Sequence, residues 1–329
     1  MRIEIYTKGD TLPVLAKGNI LHSAFMFHAL EKSNSKPYML VGYDRNDREL
    51  GHLLITSRRS IRIFPPILNQ RYTINGEGVY NEECGKEERE RIFTAFLDKI
   101  FGMLDFRHTS IKVQNIEDQR FAYGALSARG FIPLRDRRLY ISLHSKHPQE
   151  RLTRAYKAHI RNATKRGVTY SRATTQQEIK EGLRLMHNYY RSKIQRNLPQ
   201  ERVLQAMLNT PDGILSRECK LFIVKHKERI IGSSLCIYEE SRAYLAYSCG
   251  LRKSHPLLYP GIMAIWAAIT DAHNNEYAHF EFLEARDLPY LKRKFISTLL
   301  NYGGKQVGTL RWKHYRWGWL NKILRWIYV

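Results

Sequence analysis

The sequence predicts an α/β (α+β) fold of two similar units, each a mixed, mostly antiparallel sheet flanked by helices. Three observations carry that expectation. Residues 219–295 read as strand, turn, strand, turn, long strand, loop, apolar helix and strand. The first half gives a comparable series: a two-stranded turn, a helix, a strand and further helix. Between them lies the polar, Pro-terminated stretch His144–Pro148, of the kind that separates folded units. At 329 residues the chain can bury two cores, and 43% hydrophobic with 26% charged residues is the balance of a globular protein. The expected division is residues 1–147 and 148–329.

Each element rests on a local pattern. An apolar helix is expected around Ile20–Leu30, then a hairpin of Tyr38–Tyr43 and Leu50–Thr56 through the turn Asp44-Arg45-Asn46-Asp47. Phe64-Pro65-Pro66-Ile67 reads as a loop, because proline cannot donate to a sheet ladder. Glu87–Gly102 places Ile92, Phe93, Phe96, Leu97, Ile100 and Phe101 at helical spacing. A strand at Thr109–Val113, a short helix ending at Gly130 and a strand at Leu139–Leu143 complete the first half. The second half opens with a helix over 150–166 and a strand at Val168–Ser171. A helix over Gln176–Lys193 follows, with Ile179, Leu183, Leu185, Met186, Tyr189 and Tyr190 as its apolar face. Then come the strands Cys219–Val224, Ile230–Tyr238 and Ala243–Gly250, the helix Ile262–Ala272 and the strand His279–Leu283.

Charge narrows the classes of partner. Lys+Arg 54 against Asp+Glu 31 leaves a net charge of +23, which suits an anionic partner: nucleic acid, a nucleotide-type donor or an acidic membrane surface. Cys84, Cys219, Cys236 and Cys249 form no C-x-x-C pair and have no histidine at zinc spacing, so no metal is expected. The first residues lack an uninterrupted apolar signal core, and no run reaches the ~18 apolar residues needed to span a bilayer. A cytoplasmic protein is expected, with peripheral contact at the inner face of the membrane as an option.

Three segments resemble the FemABX-like branch of the GNAT acyltransferase superfamily, whose members have two GNAT-like domains in tandem. Residues 154–168 (RAYKAHIRNATKRGV) are similar to the basic helix-Gly-Val entry of that family's second domain. Leu257–Trp266 is similar to its loop-to-helix segment, and Leu291-Lys292-Arg293-Lys294-Phe295 to its aromatic-Lys-x-x-Phe segment. Ile296 stands where the family usually has Gly. The Arg/Gln-x-x-Gly-x-Gly/Ala run that holds acyl-CoA phosphates in ordinary GNAT enzymes is absent, with only Arg252 and Gly261 at a different spacing. The resemblance implies two tandem GNAT-like domains and direct transfer of an acyl or aminoacyl group to an amine. The donor would be acyl-CoA (acetyl-CoA) or aminoacyl-tRNA, and a cell-envelope precursor would suit as acceptor.

Candidate site residues follow from position in such a fold. Tyr247, Ser248, Cys249 and Gly250 end a strand that would splay from its parallel neighbour and hold the donor's amide arm. Gly261 and Ile262 open a helix whose free N–H groups favour phosphate, and Pro260 at its first position loses no bond. Lys253, Ser254 and Tyr259 join them from the loop; a plain strand-loop-helix connection is the bland alternative. Glu284, at the end of the strand His279–Leu283, is the candidate general base, against an Arg286–Glu284 surface pair. Lys292, matched by the resemblance, would steady developing oxyanion charge or bind phosphate, against a solvated basic face with Arg293 and Lys294. Arg154, Lys157, Arg161 and Lys165 form a cationic row suited to a phosphate backbone, opposite Leu152, Ala155, Ile160 and Ala163. From Arg286 onward ten Lys/Arg face one acid, Asp287, and four Trp are interleaved with them. That tail suits a membrane interface, base stacking, or a helix docked on the core. The competing class is a non-catalytic basic protein that binds RNA or an anionic membrane.

Overall fold

The computed structural model describes the chain except residues 34, 60–69, 115–117, 119, 145, 195–197, 210–214, 284–292 and 329. It folds as two compact units, Met1–Asp136 with Gly308–Val329, and Arg137–Val307. The division therefore falls inside two strands, and the last residues group with the first unit.

The first unit contains β1 (Arg2–Tyr6), α1 (Ala24–Glu31), β2 (Lys36–Tyr43), β3 (Glu49–Arg59), β4 (Gln70–Asn75), β5 (Val79–Tyr80), α2 (Lys86–Gly102), β6 (His108–Gln114) and α3 (Tyr123–Ala128). Strands run in the order β1-β2-β3-β4-β6, and the late strand Lys305–Tyr315 closes antiparallel on β6. Among the described residues of this unit only β4 and β6 pair in parallel, and α2 is the crossover such a pair requires. Ile92, Phe93, Phe96, Leu97 and Ile100 of α2 are buried on the sheet, the stripe its spacing predicts, with Phe101 partly buried beside them. Helix α1 starts later than expected, at the cap Ser23, whose hydroxyl accepts from Met26 N–H; a tight turn occupies Ile20–His22.

The second unit takes up β7 (Ile132–Ser142) from Arg137 onward, then α4 (Pro148–Arg151), α5 (Arg154–Lys165), β8 (Thr169–Arg172), α6 (Gln176–Tyr189) and α7 (Glu201–Leu208). It continues with β9 (Cys219–His226), β10 (Arg229–Glu239), β11 (Arg242–Gly250), α8 (Pro260–Asn274), β12 (His279–Phe282) and a helix at Arg293–Leu300. Its strand order is β7-β12-β11-β10-β9-β8, with β11 and β12 the parallel pair and α8 their crossover. The two units thus share one plan, an antiparallel meander followed by a parallel pair bridged by a helix. Helix α8 lies on one face with Phe280 and Phe282, burying Ile265, Trp266, Ile269 and Ala272. Helix α6 lies on the other, where Gly182 comes close to Leu221 and Ile223.

The expected helix over 150–166 is two pieces, because Leu152 and Thr153 are extended and Thr153 caps a new helix. That restart shifts the buried face: Tyr156 and Ala163 are buried, whereas Ala155 is exposed. The long helix from Gln176 is α-helical only to Tyr189 and then widens into a π-type turn at Tyr190–Ile194. The expected loop at 64–67 lies outside the described residues.

Candidate active site

Strand β11 pairs antiparallel with β10 along its length and parallel with β12 from its start. Its parallel register with β12 runs from Arg242–His279 to Leu245–Phe282 among the described residues, whereas β11 continues to Gly250. At Leu245 the β10 register slips: Cys236 pairs with Leu245 and Leu235 with Tyr247, leaving Ala246 as the extra residue of a bulge. A bulge bends its strand and increases the local twist. Tyr247, Ser248, Cys249 and Gly250, the four residues expected to hold a donor, are the part of β11 that follows this bulge.

Side chains alternate along this segment. Ser248 and Gly250 pair with Ser234 and Gly232, on the face of α8, where the Ser234 hydroxyl donates to Ala264 C=O at 2.7 Å. Tyr247 and Cys249 face α6, where Tyr190 meets the Tyr247 ring edge-on at 5.7 Å. The buried Tyr190 hydroxyl accepts from the Ser248 N–H at 3.2 Å, so the phenol meets the backbone of β11 directly. Sequence spacing puts Tyr190 on the apolar face of its helix; its contact with β11 depends on the wider turn that follows Tyr189. Such turns concentrate at functional sites.

The start of α8 is pressed onto this strand end. A Cβ on Gly250 would lie 2.2 Å from Gly261 N, and one on Gly232 would lie 2.7 Å from Pro260 O. These are backbone atoms, which cannot swing aside as a flexible side chain can. Gly250→Ala is therefore expected to lower stability by about 1–3 kcal/mol through overpacking. It should also displace the helix start. Thermal unfolding checks it, and a melting temperature equal to wild type would show that the close approach is not constrained.

Tyr259 caps α8 from a left-handed conformation (φ 47°, ψ 46°) and supplies no side-chain cap. The first helical bond runs from Met263 N–H to Tyr259 C=O, so the Gly261 and Ile262 N–H groups lie ahead of it at the positive end of the helix dipole. A ring stack of Tyr259 on His159 at 4.1 Å ties this turn to α5. Arg166, just beyond α5, donates to Leu257 C=O at 2.8 Å. Arg252, Lys253 and Ser254 are exposed on the same loop, and His255 keeps a buried Nδ1 without a partner among the described residues. Burial pushes the Tyr156 phenol of α5 up; hydrogen bonds with Thr298 and Asn301 and the charge of Arg252 oppose that rise. Arg154, Lys157, Arg161 and Lys165 are all exposed on α5, which holds no acidic residue.

On the α6 side, a pocket of about 440 Å³ opens between Glu181, Arg184, Tyr189, Lys193, Ile230 and Leu251. Leu251 follows the last residue of β11, so this pocket flanks the end of that strand from the face opposite α8. Neither His159, Arg166, Tyr190 nor this pocket stands out in the sequence, because each acts through a distant segment. Glu284, Arg286 and Lys292 lie outside the described residues. No group of three His, Cys, Asp or Glu side chains suited to a metal occurs among the described residues.

Comparison with known proteins meets this geometry. Residues 150–292 match the acetyltransferase (GNAT) domain family. By sequence, none of the curated proteins matches the chain. Among solved structures, FemX superposes with a TM-score of 0.65 at 14% identity, covering 95% of each chain. The C-terminal domain of a putative lysylphosphatidylglycerol synthetase from Agrobacterium fabrum gives a TM-score of 0.58 at 11% identity, over 93% of this chain and 90% of that one. A tandem GNAT protein from the clavulanic acid biosynthesis pathway gives 0.52 at 11% identity, over 89% and 88%. Residues 150–292 thus match a GNAT acetyltransferase domain, and the chain as a whole shares the fold of FemX and of the tandem GNAT protein.

Proposed function

We propose that the second unit transfers an aminoacyl group from an aminoacyl-tRNA to an amine by direct attack. The observation that carries the donor assignment is α5. Its exposed row of Arg154, Lys157, Arg161 and Lys165 continues into the donor loop through the His159–Tyr259 stack and the Arg166–Leu257 bond. A compact pyrophosphate needs only the helix start, whereas a cationic row on a separate helix suits an extended phosphate backbone. The missing Arg/Gln-x-x-Gly-x-Gly/Ala run supports the same donor over acyl-CoA.

In this reading Gly261 and Ile262 N–H hold the terminal phosphate of the donor, with Lys253 and Ser254 beside them. The strand end Tyr247–Gly250 aligns the ester carbonyl, and Tyr190 yields its bond with Ser248 as the acyl group arrives. The acceptor enters from the α6 pocket, of mixed charge through Glu181, Arg184 and Lys193. Glu284 is assigned as the base that takes the amine's proton, and Lys292 as the cation facing the oxyanion. Positioning supplies most of the rate, since no covalent enzyme intermediate is needed. A cell-envelope precursor bearing a free amine is the proposed acceptor class.

The test sets labelled aminoacyl-tRNA beside labelled acetyl-CoA, with an amine-bearing peptide precursor and the full chain in lipid-free buffer. Label should move from tRNA to the peptide. Arg161→Glu with Lys165→Glu should weaken tRNA binding by roughly tenfold or more and flatten its salt dependence. Transfer from acetyl-CoA alone would reject the tRNA donor.

A further inference from the structure

The helix Gly318–Tyr328 of the first unit is held by one face and bare on the other. Its rotation is fixed by two polar contacts. Asn321, nearly buried, accepts from Tyr315 N–H at 2.8 Å and donates to Tyr315 C=O at 2.6 Å. Arg325 donates to Ser127 C=O at 3.2 Å. Both contacts lie within the unit, so the opposite face is set by geometry.

That opposite face is apolar. Trp319 is 63% exposed, Ile323 48%, Trp326 87% and Ile327 56%. Their spacing of four, three and one residues places all four within an arc of roughly 100° on a helix of 3.6 residues per turn. Isolated exposed apolar residues are ordinary; a continuous stripe with two indoles at its crest marks an interaction surface. Lys322 borders the stripe on one side and Arg316 precedes it, both exposed. From Lys305 onward the chain carries six Lys/Arg and no acid.

We propose that this helix lies in the interface of an anionic lipid bilayer, with its stripe inserted at the headgroup–acyl boundary. Indoles prefer that boundary because the ring is apolar while its N–H stays hydrated, and flanking cations pair with anionic headgroups. No helix among the described residues is long and apolar enough to cross a membrane, so contact would be in-plane. Aliphatic Ile323 and Ile327 flush with the indoles fit acyl chains; they would give nothing to stacked bases. A second copy of this face would set like charges at Lys322 and its surroundings against one another.

The experiment is co-flotation of the full chain with vesicles of equimolar phosphatidylglycerol and phosphatidylcholine, against vesicles of phosphatidylcholine alone. Binding to the anionic vesicles, a blue shift of tryptophan emission and weakening by salt are expected. Trp319→Ser with Trp326→Ser should reduce partitioning by at least roughly tenfold, since each removes a fully inserted apolar side chain. Both side chains are exposed, so the melting temperature should hold, and Ile323→Asn gives an independent check of the same stripe. Three results would overturn the proposal: no anionic-vesicle binding, binding indifferent to these substitutions, or a lipid-free dimer that the same substitutions dissolve. A loss of tRNA affinity in the Trp variants without vesicle binding would reassign the stripe to nucleic acid. The transfer assay in lipid-free buffer is independent of each outcome.

Discussion

Arg138→Met is expected to destabilise the second unit by about 3–5 kcal/mol and to disturb β12, the parallel partner of β11. Glu281 sits in the middle of β12 with no solvent exposure, between Tyr140 of β7 and Tyr244 of β11 in register. Its neighbours Phe280 and Phe282 turn to the α8 core, which leaves its carboxylate on the opposite face. Arg138 meets it there in a fork, Nε to one oxygen and a terminal nitrogen to the other at 2.9 Å. Removing the guanidinium leaves a fully buried carboxylate without its counter-charge, and that desolvation cost dominates the loss. Arg138→Met with Glu281→Met removes both charges and should recover most of the stability, because an apolar pair of similar volume needs no compensation. Denaturant unfolding of the single and double variants, with hydrogen exchange at β11 and β12, measures both. A single variant as stable as wild type, or a double variant no better than the single, would contradict the argument.

Acid should unfold the first unit through His22. This ring is fully buried, and burial with the nearby charge of His52 lowers its pKa to about 3. The geometry gives the reason independently. Leu54 N–H points at Nδ1 from 3.0 Å and Gly78 N–H at Nε2 from 3.2 Å. A neutral ring can accept one of these; an imidazolium, a donor at both nitrogens, can accept neither. Between the unfolded value near 6.5 and about 3, the unfolded chain binds a proton that the native ring refuses. Stability contributed by the neutral ring is therefore complete above about pH 6.5 and falls as pH drops through that window, by a total of order 4 kcal/mol. His22→Gln has no proton to gain and should flatten this limb, at the cost of some stability at neutral pH. Tryptophan fluorescence reports the unit, since Trp312, Trp317, Trp319 and Trp326 belong to it and only Trp266 to the other. Equal pH dependence of wild type and His22→Gln between pH 7 and 4 would remove His22 as the cause.

Legibility in the sequence followed how far each pattern depended on neighbours in the chain. The stripe of α2 and the apolar runs of β9, β10 and β11 were readable because burial on one or both faces leaves a local period. The strand Lys305–Tyr315 was not, since only Thr309 and Trp312 are buried and their spacing of three fits a helix face better than the period of two of a strand. Strands β1 and β4 are short, and polar residues interleave in both. Tyr247–Gly250 could be placed at a strand end from composition, while Tyr190 and the α5 contacts to the loop before α8 could not. Ala155 was assigned to the wrong face because nothing in a helix-favouring sequence marks the break at Leu152–Thr153.

The sequence by itself determined the order of elements, the two-unit plan, the excess of positive charge and the apolar residues that must be covered somewhere. Only the tertiary structure decided which segment does the covering. It set Tyr190 on the Ser248 amide, pressed Gly261 onto Gly250, grouped the final strand and helix with the first unit, and left one face of that helix bare. The reason is physical: periodicity records what a side chain needs, whereas the partner that meets the need is brought from far along the chain by strand pairing and packing.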